Sequence, residues 1–236
     1  MTRSDVVVEE NFFDQQLISQ LWKDCLALDH LGVDFIDQHG IWKGHKITRQ
    51  NLIKSASVNV DTDYSKYPNS LQTVIRMVDD YFGNTVAVRE IAFQQLYLPW
   101  DIHCDLTRQD IEEKNVYTVE DRDDYVPFYN VLIPLHDVDS RTIVFDQTST
   151  DYNDFYLYKQ NNPQVENPLS EESWNEYLSM TWPEDRLWLT VKQVLPTQHA
   201  GQLIAFRRHF FHSSDNFHTR GVDCKHFVQL LLDKKQ

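Results

Sequence analysis

The chain has 236 residues, of which 41% are hydrophobic and 25% charged, which excludes a disordered or collagen-like chain. No apolar run reaches the roughly 18 residues of a membrane span, and the net charge of −14 disfavours an extended nucleic-acid interface. The first residues contain no signal-peptide stretch and the three cysteines form no CxxC pair, so we expect a cytoplasmic protein in a reducing compartment.

A short strand at 6–8 and two helices are predicted in the first third of the chain. The first helix begins after Asp14, a typical N-cap residue, and apolar residues then recur at helical spacing. The second helix begins near Asn69, and Gly83 stands where a helix commonly ends. These features predict a helical N-terminal part over about 1–85.

From about residue 86 the sequence becomes rich in short β-type segments. Residues that favour strands cluster at 86–98, 126–135, 142–145, 187–195, 203–206 and 225–232. A polar stretch at 147–170 interrupts them, and Ser173 is predicted to cap a short helix after it. The order predicts a single α+β domain over 1–236, with a β-sandwich or barrel core at about 86–232 and an insertion at about 147–185.

The tripeptide His103–Cys104–Asp105 is the first candidate for chemistry. Residues i and i+2 of a strand project from the same face, about 7 Å apart at the backbone, so His103 and Asp105 could share a metal. Taken alone, the tripeptide is better explained as a polar surface pair, because chance produces such a spacing in a chain with ten histidines.

The second candidate is a basic and aromatic segment, 207–216, which contains His209 and His212. It follows a predicted strand, and we interpret it as a loop. A segment of this kind in an acidic protein suits a site for an anionic small ligand and a metal. A loop with structural histidines is the alternative.

Lys225 is the third candidate, because it begins an otherwise apolar segment. It is either an edge residue whose ammonium reaches solvent or a cation that binds a carboxylate inside a barrel mouth. One carboxylate together with two histidines forms the 2-His-1-carboxylate triad, which suits Fe(II) and leaves coordination positions open.

In this combination the sequence resembles the Fe(II)/2-oxoglutarate-dependent oxygenases, whose fold is the double-stranded β-helix, or jelly roll. Residues 96–105, LYLPWDIHCD, are similar to the family's strand that leads into H-x-D, although Trp100 replaces its usual glycine. Residues 201–206, GQLIAF, followed by His212, resemble its later motif. The resemblance spans roughly 6–232 and is closest to small prolyl-hydroxylase-like members from bacteria and phages.

The resemblance implies that His103, Asp105 and His212 bind Fe(II) and are catalytic. It implies that Lys225, with Arg220 as its rival, binds the distal carboxylate of 2-oxoglutarate, with help from the hydroxyl of Tyr129. With O2 as co-substrate, the implied reaction is hydroxylation of a C–H bond with release of succinate and CO2. The substrate would be a peptide or amino-acid side chain, or a small metabolite.

Two alternatives remain from the sequence. One is a non-catalytic ligand-binding module on the same jelly-roll fold, and the other is an unrelated β-rich protein with zinc at the histidine cluster. Binding of Fe(II) and turnover of 2-oxoglutarate would separate them from the oxygenase. The oligomeric state is not predicted.

Overall fold

The computed structural model describes residues 4–26, 31–33, 48–54, 68–96, 99, 101–106, 129–149, 151, 154–178 and 182–234. At 31–33 and 48–54 the description is of the backbone. Among the described residues, no helix has the length and apolar character needed to cross a membrane.

The predicted strands and helices occur in the predicted order. Three strands and one helix are added, at 31–33, 48–54, 210–214 and 155–161. The strands are β1 (Val6–Glu9), β2 (Leu31–Val33), β3 (Thr48–Lys54), β4 (Val86–Leu96), β5 (Tyr129–Pro134), β6 (Thr142–Thr148), β7 (Val191–Val194), β8 (Leu203–Arg207), β9 (Phe210–Ser214) and β10 (Lys225–Lys234). The α-helices are α1 (Gln15–Leu26), α2 (Asn69–Tyr81), α3 (Phe155–Asn161) and α4 (Glu171–Tyr177). Short 3-10 helices span Pro183–Trp188 and Phe217–Arg220.

The strands form two antiparallel sheets. The larger sheet has seven strands in the order β1-β8-β5-β10-β4-β3-β2, and the smaller has three in the order β7-β6-β9. His103 extends the smaller sheet by a bridge to His212 of β9 and by a second bridge to Asp154. His103, the first residue of the H-x-D motif, therefore lies at the edge of the smaller sheet, next to β9.

The larger sheet buries both of its faces. On its outer face, side chains such as Val131 and Val228 pack against α1 and α2. On its inner face, Leu132, Phe206 and Phe227 share a core with Val144 and Phe210 of the smaller sheet. Because alternate residues of a strand face opposite sides, each central strand contributes to both cores. A cluster that includes Phe155, Trp174 and Phe211 covers the other face of the smaller sheet.

Several local predictions are confirmed. Asp14 accepts a hydrogen bond from the amide of Leu17 (2.7 Å) at the start of α1. Gly83, just past α2, has a φ of 74°, which glycine adopts without steric cost. Cys104 is buried on the outer side of the smaller sheet, away from the pair of residues that flank it.

Other local predictions are wrong. Two strands that were not predicted, β2 and β3, lie in the N-terminal part beside the predicted strand and helices. Residues 187–195 are a strand only from Val191, since a 3-10 helix occupies Pro183–Trp188. The cap of α4 is Ser170 rather than Ser173, because the Ser170 hydroxyl accepts the amide of Ser173 (3.1 Å).

The segment 207–216 is a hairpin rather than a loop. It consists of the end of β8, a turn at residues 208–209, and β9. Along β9, Phe210 packs in the core between the sheets, whereas Phe211 packs on the outer face of the smaller sheet. This alternation orients His212 to the same side as Phe210, between the two sheets.

Candidate metal and anion site

His103, Asp105 and His212 form one cluster between the sheets. Each can offer one ligand atom, and these atoms lie within 4.8 Å of one another. The Nε2 atom of His212 is 3.2 Å from Oδ2 of Asp105, and the Nε2 atom of His103 is 3.9 Å from Oδ1. Two imidazole nitrogens and one carboxylate therefore converge on a single point, as the 2-His-1-carboxylate pattern requires.

The outer nitrogen of each imidazole is held by a backbone carbonyl. Nδ1 of His103 lies 2.6 Å from the carbonyl oxygen of Asp101, and Nδ1 of His212 lies 3.1 Å from that of Phe210. A carbonyl oxygen only accepts, so each Nδ1 carries a proton and Nε2 is the ring atom left to face the carboxylate or to bind a metal. The local backbone thus selects the tautomer that binds a metal through Nε2.

Main-chain bonds join the segments that carry the three residues. His103 and His212 exchange amide-to-carbonyl hydrogen bonds of 3.0 and 2.8 Å. The Asp105 amide donates to the carbonyl of Arg208 (2.9 Å) in the turn between β8 and β9. The two parts of the motif, more than a hundred residues apart, are therefore fixed relative to each other without a metal.

Arg208 strengthens the same junction with its side chain. Its guanidinium is fully buried and donates to the carbonyl oxygen of Asp105 from Nε (3.1 Å) and from a terminal nitrogen (3.0 Å). The other terminal nitrogen donates to the carboxylate of Asp233 (2.8 Å) on β10. The sequence motif did not single out Arg208 for this role.

The Asp105 carboxylate is surrounded by donors. Asn130 of β5 donates to Oδ2 (2.5 Å), and Gln229 of β10 donates to Oδ1 (3.3 Å). Burial by itself raises the pKa of Asp105, but the nearby His212, His103 and Arg208 outweigh it and lower the pKa to about 2. Asp105 is therefore an anion over the whole neutral range.

Lys225 occupies a different part of the same inner face. It lies four residues before Gln229 on β10, about 13 Å along the strand. Its ammonium is 3% exposed and donates to the hydroxyls of Ser214 (2.8 Å) and Ser140 (3.4 Å). Among the described residues, no carboxylate oxygen lies within 4 Å of this nitrogen. Burial, reinforced by Arg220 and partly offset by Asp215, lowers its pKa to about 8.

Arg220 is close to this region but has its own anionic partners. Its guanidinium donates to the buried carboxylate of Asp215, and its Nε lies 3.1 Å from the carboxylate of Asp139 and 3.0 Å from the carbonyl oxygen of the same residue. Asp215 also accepts the amide of Arg141 (2.8 Å). The structure thus gives the two rival cations different environments, since Arg220 is neutralised by a carboxylate and Lys225 is bonded to hydroxyls.

Tyr129 and His209, which the sequence also brought into consideration, lie away from the cluster and from Lys225. The hydroxyl of Tyr129 donates to the carbonyl of Ser4 (2.7 Å), and its ring packs in the core on the outer face of the larger sheet. The structure does not bring it to Lys225. His209 lies in the turn outside the cluster, and burial together with Arg207 lowers its pKa to about 4.

No protein-family model matches the sequence, and no curated protein matches it. Solved structures share the fold. SnoN, an alpha-ketoglutarate-dependent epimerase from nogalamycin biosynthesis, has a TM-score of 0.52 at 10% identity, covering 98% of this chain and 78% of its own. HygX from Streptomyces hygroscopicus has a TM-score of 0.52 at 13% identity, covering 98% and 86%. The carbocyclase SnoK of nogalamycin biosynthesis has a TM-score of 0.51 at 12% identity, covering 98% and 79%.

These similarities confirm the predicted fold class, an α+β protein with a double-stranded β-helix core and supporting N-terminal helices. At identities of 10–13%, the similarity shows a shared fold and does not show a shared activity.

Proposed function

We propose that this chain is an Fe(II)- and 2-oxoglutarate-dependent dioxygenase that hydroxylates an unactivated C–H bond. The observation that carries the proposal is the convergence of His103, Asp105 and His212 within 4.8 Å, with both Nε2 atoms directed to the carboxylate.

The three residues fit Fe(II) by their chemistry. Two neutral imidazoles and one carboxylate are the donor set of non-heme Fe(II) oxygenases, and a set of three leaves positions for other ligands. The carbonyl partners of both Nδ1 atoms supply the outer support that metal-binding histidines usually have. Nickel and Fe3+ occur together with the keto acid in the HygX and SnoN structures.

Lys225 fits the distal carboxylate of 2-oxoglutarate. Its buried ammonium donates to two hydroxyls and lies over the rings of Phe217 (5.3 Å) and Phe227 (5.8 Å), and a bound carboxylate would supply an anion. Ser214 and Ser140 can each donate a hydroxyl proton to the same carboxylate. Arg220 is the weaker candidate because Asp215 already neutralises it.

When bound, Fe(II), 2-oxoglutarate and O2 supply oxidative attack on a C–H bond, with release of succinate and CO2. The chain itself holds the metal ligands in place, binds the keto acid through Lys225 and provides an apolar interior formed by residues such as Phe206, Phe210 and Phe227.

The substrate class is the least constrained part of the proposal. SnoN has been crystallised with a small molecule, nogalamycin RO, and we propose a small metabolite or an amino-acid or peptide side chain here. Membership of the prolyl-hydroxylase-like subgroup stays a prediction. SnoN and SnoK are an epimerase and a carbocyclase, so hydroxylation must be tested separately from oxidation of the keto acid.

The test is anaerobic addition of Fe(II) and 2-oxoglutarate, followed by the visible charge-transfer band of the metal–keto acid chelate. We expect the band in the wild type, its loss in His212→Ala and its weakening in Lys225→Ala. His209→Ala is the matched control, because His209 is a half-buried histidine of the same hairpin that lies outside the cluster. It should keep the band.

A wild-type protein that binds iron without the band would overturn the keto-acid part of the proposal and favour the non-catalytic binding module. Zinc-dependent activity without 2-oxoglutarate would favour the other alternative. After the band is observed, oxygen-dependent formation of succinate with candidate substrates identifies the one that is hydroxylated.

A further inference from the structure

Three buried or half-buried amide side chains form a continuous hydrogen-bonded chain that ends on Asp105. Gln94 donates to Oε1 of Gln229 (2.5 Å), and Gln229 donates both to Asp105 and to Oδ1 of Asn130 (3.1 Å). Asn130 donates to the other carboxylate oxygen of Asp105. The three amides come from adjacent strands β4, β10 and β5 of the larger sheet.

The carboxylate dictates the polarity of the whole chain. Ionised Asp105 can only accept, so Asn130 and Gln229 must present their NH2 groups to it. Their oxygens are then left to accept, from Gln229 and Gln94 respectively. Every donor in the network points toward Asp105, and reversing any one amide would place two acceptors or two donors face to face.

Gln94, the amide farthest from Asp105, has one oxygen atom that the network leaves without a hydrogen bond. Gln94 is 2% exposed, and its Oε1 is buried with no hydrogen-bond partner among the described residues. Buried amide oxygens are nearly always bonded, so one that is not needs a reason. Here the reason is the orientation that Asp105 imposes through Gln229. If the Gln94 amide were rotated by 180°, its oxygen would face Oε1 of Gln229, and two acceptors would meet.

The network also removes a freedom that a metal ligand should not have. Rotation of an aspartate carboxylate about its last bond is broad, without sharply defined wells. With a different donor on each oxygen, the Asp105 carboxylate is fixed in the rotation that faces Nε2 of both histidines. Arg208 fixes the backbone of the same residue from the other side.

We infer that Asn130 and Gln229 are positioning residues for the metal site, and that Gln94 sets the polarity of Gln229. This inference rests on the proposed function, since it assigns a role toward the metal that Asp105 would bind. The amide chain keeps the carboxylate oriented before the metal arrives, so that binding does not have to order it. Residues that support metal ligands in this way typically change metal affinity about 10- to 100-fold when they are removed.

The experiment compares Gln229→Met with Gln202→Met. Methionine has nearly the shape of glutamine but donates no hydrogen bond. Gln202 is a matched control, because it is buried and also donates to a carboxylate, that of Glu10 (2.8 Å), away from the cluster. Asn130→Leu and Gln94→Met extend the series along the network.

Two readouts separate positioning from general stability. Anaerobic Co(II) titration, followed by calorimetry and by the visible bands of the bound ion, measures metal affinity and ligand geometry. Urea unfolding of the metal-free protein measures stability. We expect Co(II) affinity to fall about 10- to 100-fold in Gln229→Met and in Asn130→Leu, and less than tenfold in Gln94→Met, with altered visible bands. Gln202→Met should lower stability while Co(II) affinity stays within twofold.

The outcomes are distinguishable from failure of the proposed function. If the wild type binds Co(II) and forms the keto-acid chelate with Fe(II), but Gln229→Met and Asn130→Leu bind Co(II) as tightly, the positioning role is wrong and the proposed function stands. If the wild type binds neither ion, both are wrong. If affinity falls equally in Gln202→Met, the effect is a general loss of stability and the inference is overturned. Gln229 is only half-buried, so of these variants Gln229→Met should disturb folding the least.

Discussion

The two charged regions on the inner face of the larger sheet differ in how completely their charges are paired. At one, the anionic carboxylate of Asp105 accepts hydrogen bonds from Asn130 and Gln229 and lies beside two imidazoles. At the other, the buried ammonium of Lys225 is bonded to two hydroxyls, while the nearby carboxylate of Asp215 is neutralised by Arg220.

This difference teaches what each region needs from a ligand. The Asp105 region is organised by hydrogen bonds in the ligand-free protein, so a metal ion would meet three ligand residues that already lie close together. The buried ammonium of Lys225 has hydroxyls rather than a carboxylate as its hydrogen-bond partners among the described residues, which is unfavourable until an anion binds. The two pKa values express the two situations. Burial dominates the lowered pKa of Lys225, whereas at Asp105 the neighbouring His212, His103 and Arg208 outweigh burial and lower the pKa.

The strongest way to break the comparison is to neutralise one buried carboxylate in each region. Asp105→Asn should weaken Co(II) binding more than 100-fold, because it removes a ligand rather than a residue that supports one. Asp215→Asn should leave Co(II) affinity within threefold and lower the free energy of unfolding, because Arg220 loses its buried partner. Metal titration and urea unfolding of both variants test this, and equal losses of metal affinity would show that the two regions are one.

Lys225→Met should separate anion binding from stability. We expect 2-oxoglutarate to bind at least about 30-fold more weakly, since truncating one partner of a buried charge pair costs about 2–5 kcal/mol. Metal affinity should stay within twofold, and the ligand-free protein should become more stable at pH 7, because a buried unpaired charge is removed. Calorimetric titration of the Ni(II)-loaded protein with 2-oxoglutarate and thermal unfolding are the measurements.

Arg220→Met is the control for that variant, and it should behave in the opposite way. Removing Arg220 leaves the buried carboxylate of Asp215 without its cation, which typically destabilises a protein by about 3–5 kcal/mol. Its effect on 2-oxoglutarate affinity should be smaller than that of Lys225→Met. If Arg220→Met loses more affinity than Lys225→Met, Arg220 rather than Lys225 binds the keto acid.

The pH dependence of anion binding sharpens the same contrast. As the pH rises through about 8, Lys225 of the ligand-free protein loses its proton, and 2-oxoglutarate affinity should fall by at most tenfold per further pH unit. The folded pKa lies below the ordinary value of 10.5, so the unfolded chain binds more protons between these values. The contribution of Lys225 to the free energy of unfolding therefore rises with pH across that window.

The check for this prediction is titration of 2-oxoglutarate at pH 7, 8 and 9 in the wild type and in Lys225→Arg. Arginine stays protonated throughout, so Lys225→Arg should have lower affinity at pH 7 but a flat dependence up to pH 9. An equally steep fall in this variant would assign the titration to another group.

The sequence predicts the strands and the residues of the metal cluster better than it predicts their support. Strands such as β4 and β10 are recognisable because runs of β-branched and aromatic residues are long and local. The H-x-D motif and His212 have an order and spacing that a family resemblance can identify. By contrast, β3 carries the polar sequence TRQNLIK, which shows no apolar alternation, and its pairing with β4 is a tertiary effect.

The support of Asp105 is hidden because its contacts are long-range. Asn130 and Gln229 are single polar residues in apolar strands, 25 and 124 residues from Asp105 in sequence. The neighbouring sequence does not indicate which residue the side chain of Asn130 or of Gln229 would contact. A polar residue at an inner-face position of a buried strand is the one usable signal, and it requires the register of the sheet.

The same register explains why the structure places the Tyr129 side chain away from Lys225. Tyr129 and Asn130 are adjacent in β5, but successive residues of a strand face opposite sides. Asn130 therefore reaches Asp105, while the Tyr129 ring packs beside Phe82 with ring centroids 4.8 Å apart.

Tyr129→Phe should consequently have the smallest effect of the series on binding. Loss of the hydroxyl removes one bond to the Ser4 carbonyl, so the free energy of unfolding should fall by about 1 kcal/mol. Affinities for Co(II) and 2-oxoglutarate should stay within twofold, because the hydroxyl is on the opposite face of the larger sheet from the cluster and the Lys225 ammonium. The same calorimetric titrations check it against the neighbouring Asn130→Leu. A fall of more than fivefold in 2-oxoglutarate affinity, with Co(II) affinity unchanged, would mean that the two faces of this sheet are coupled and that the resemblance identified Tyr129 correctly.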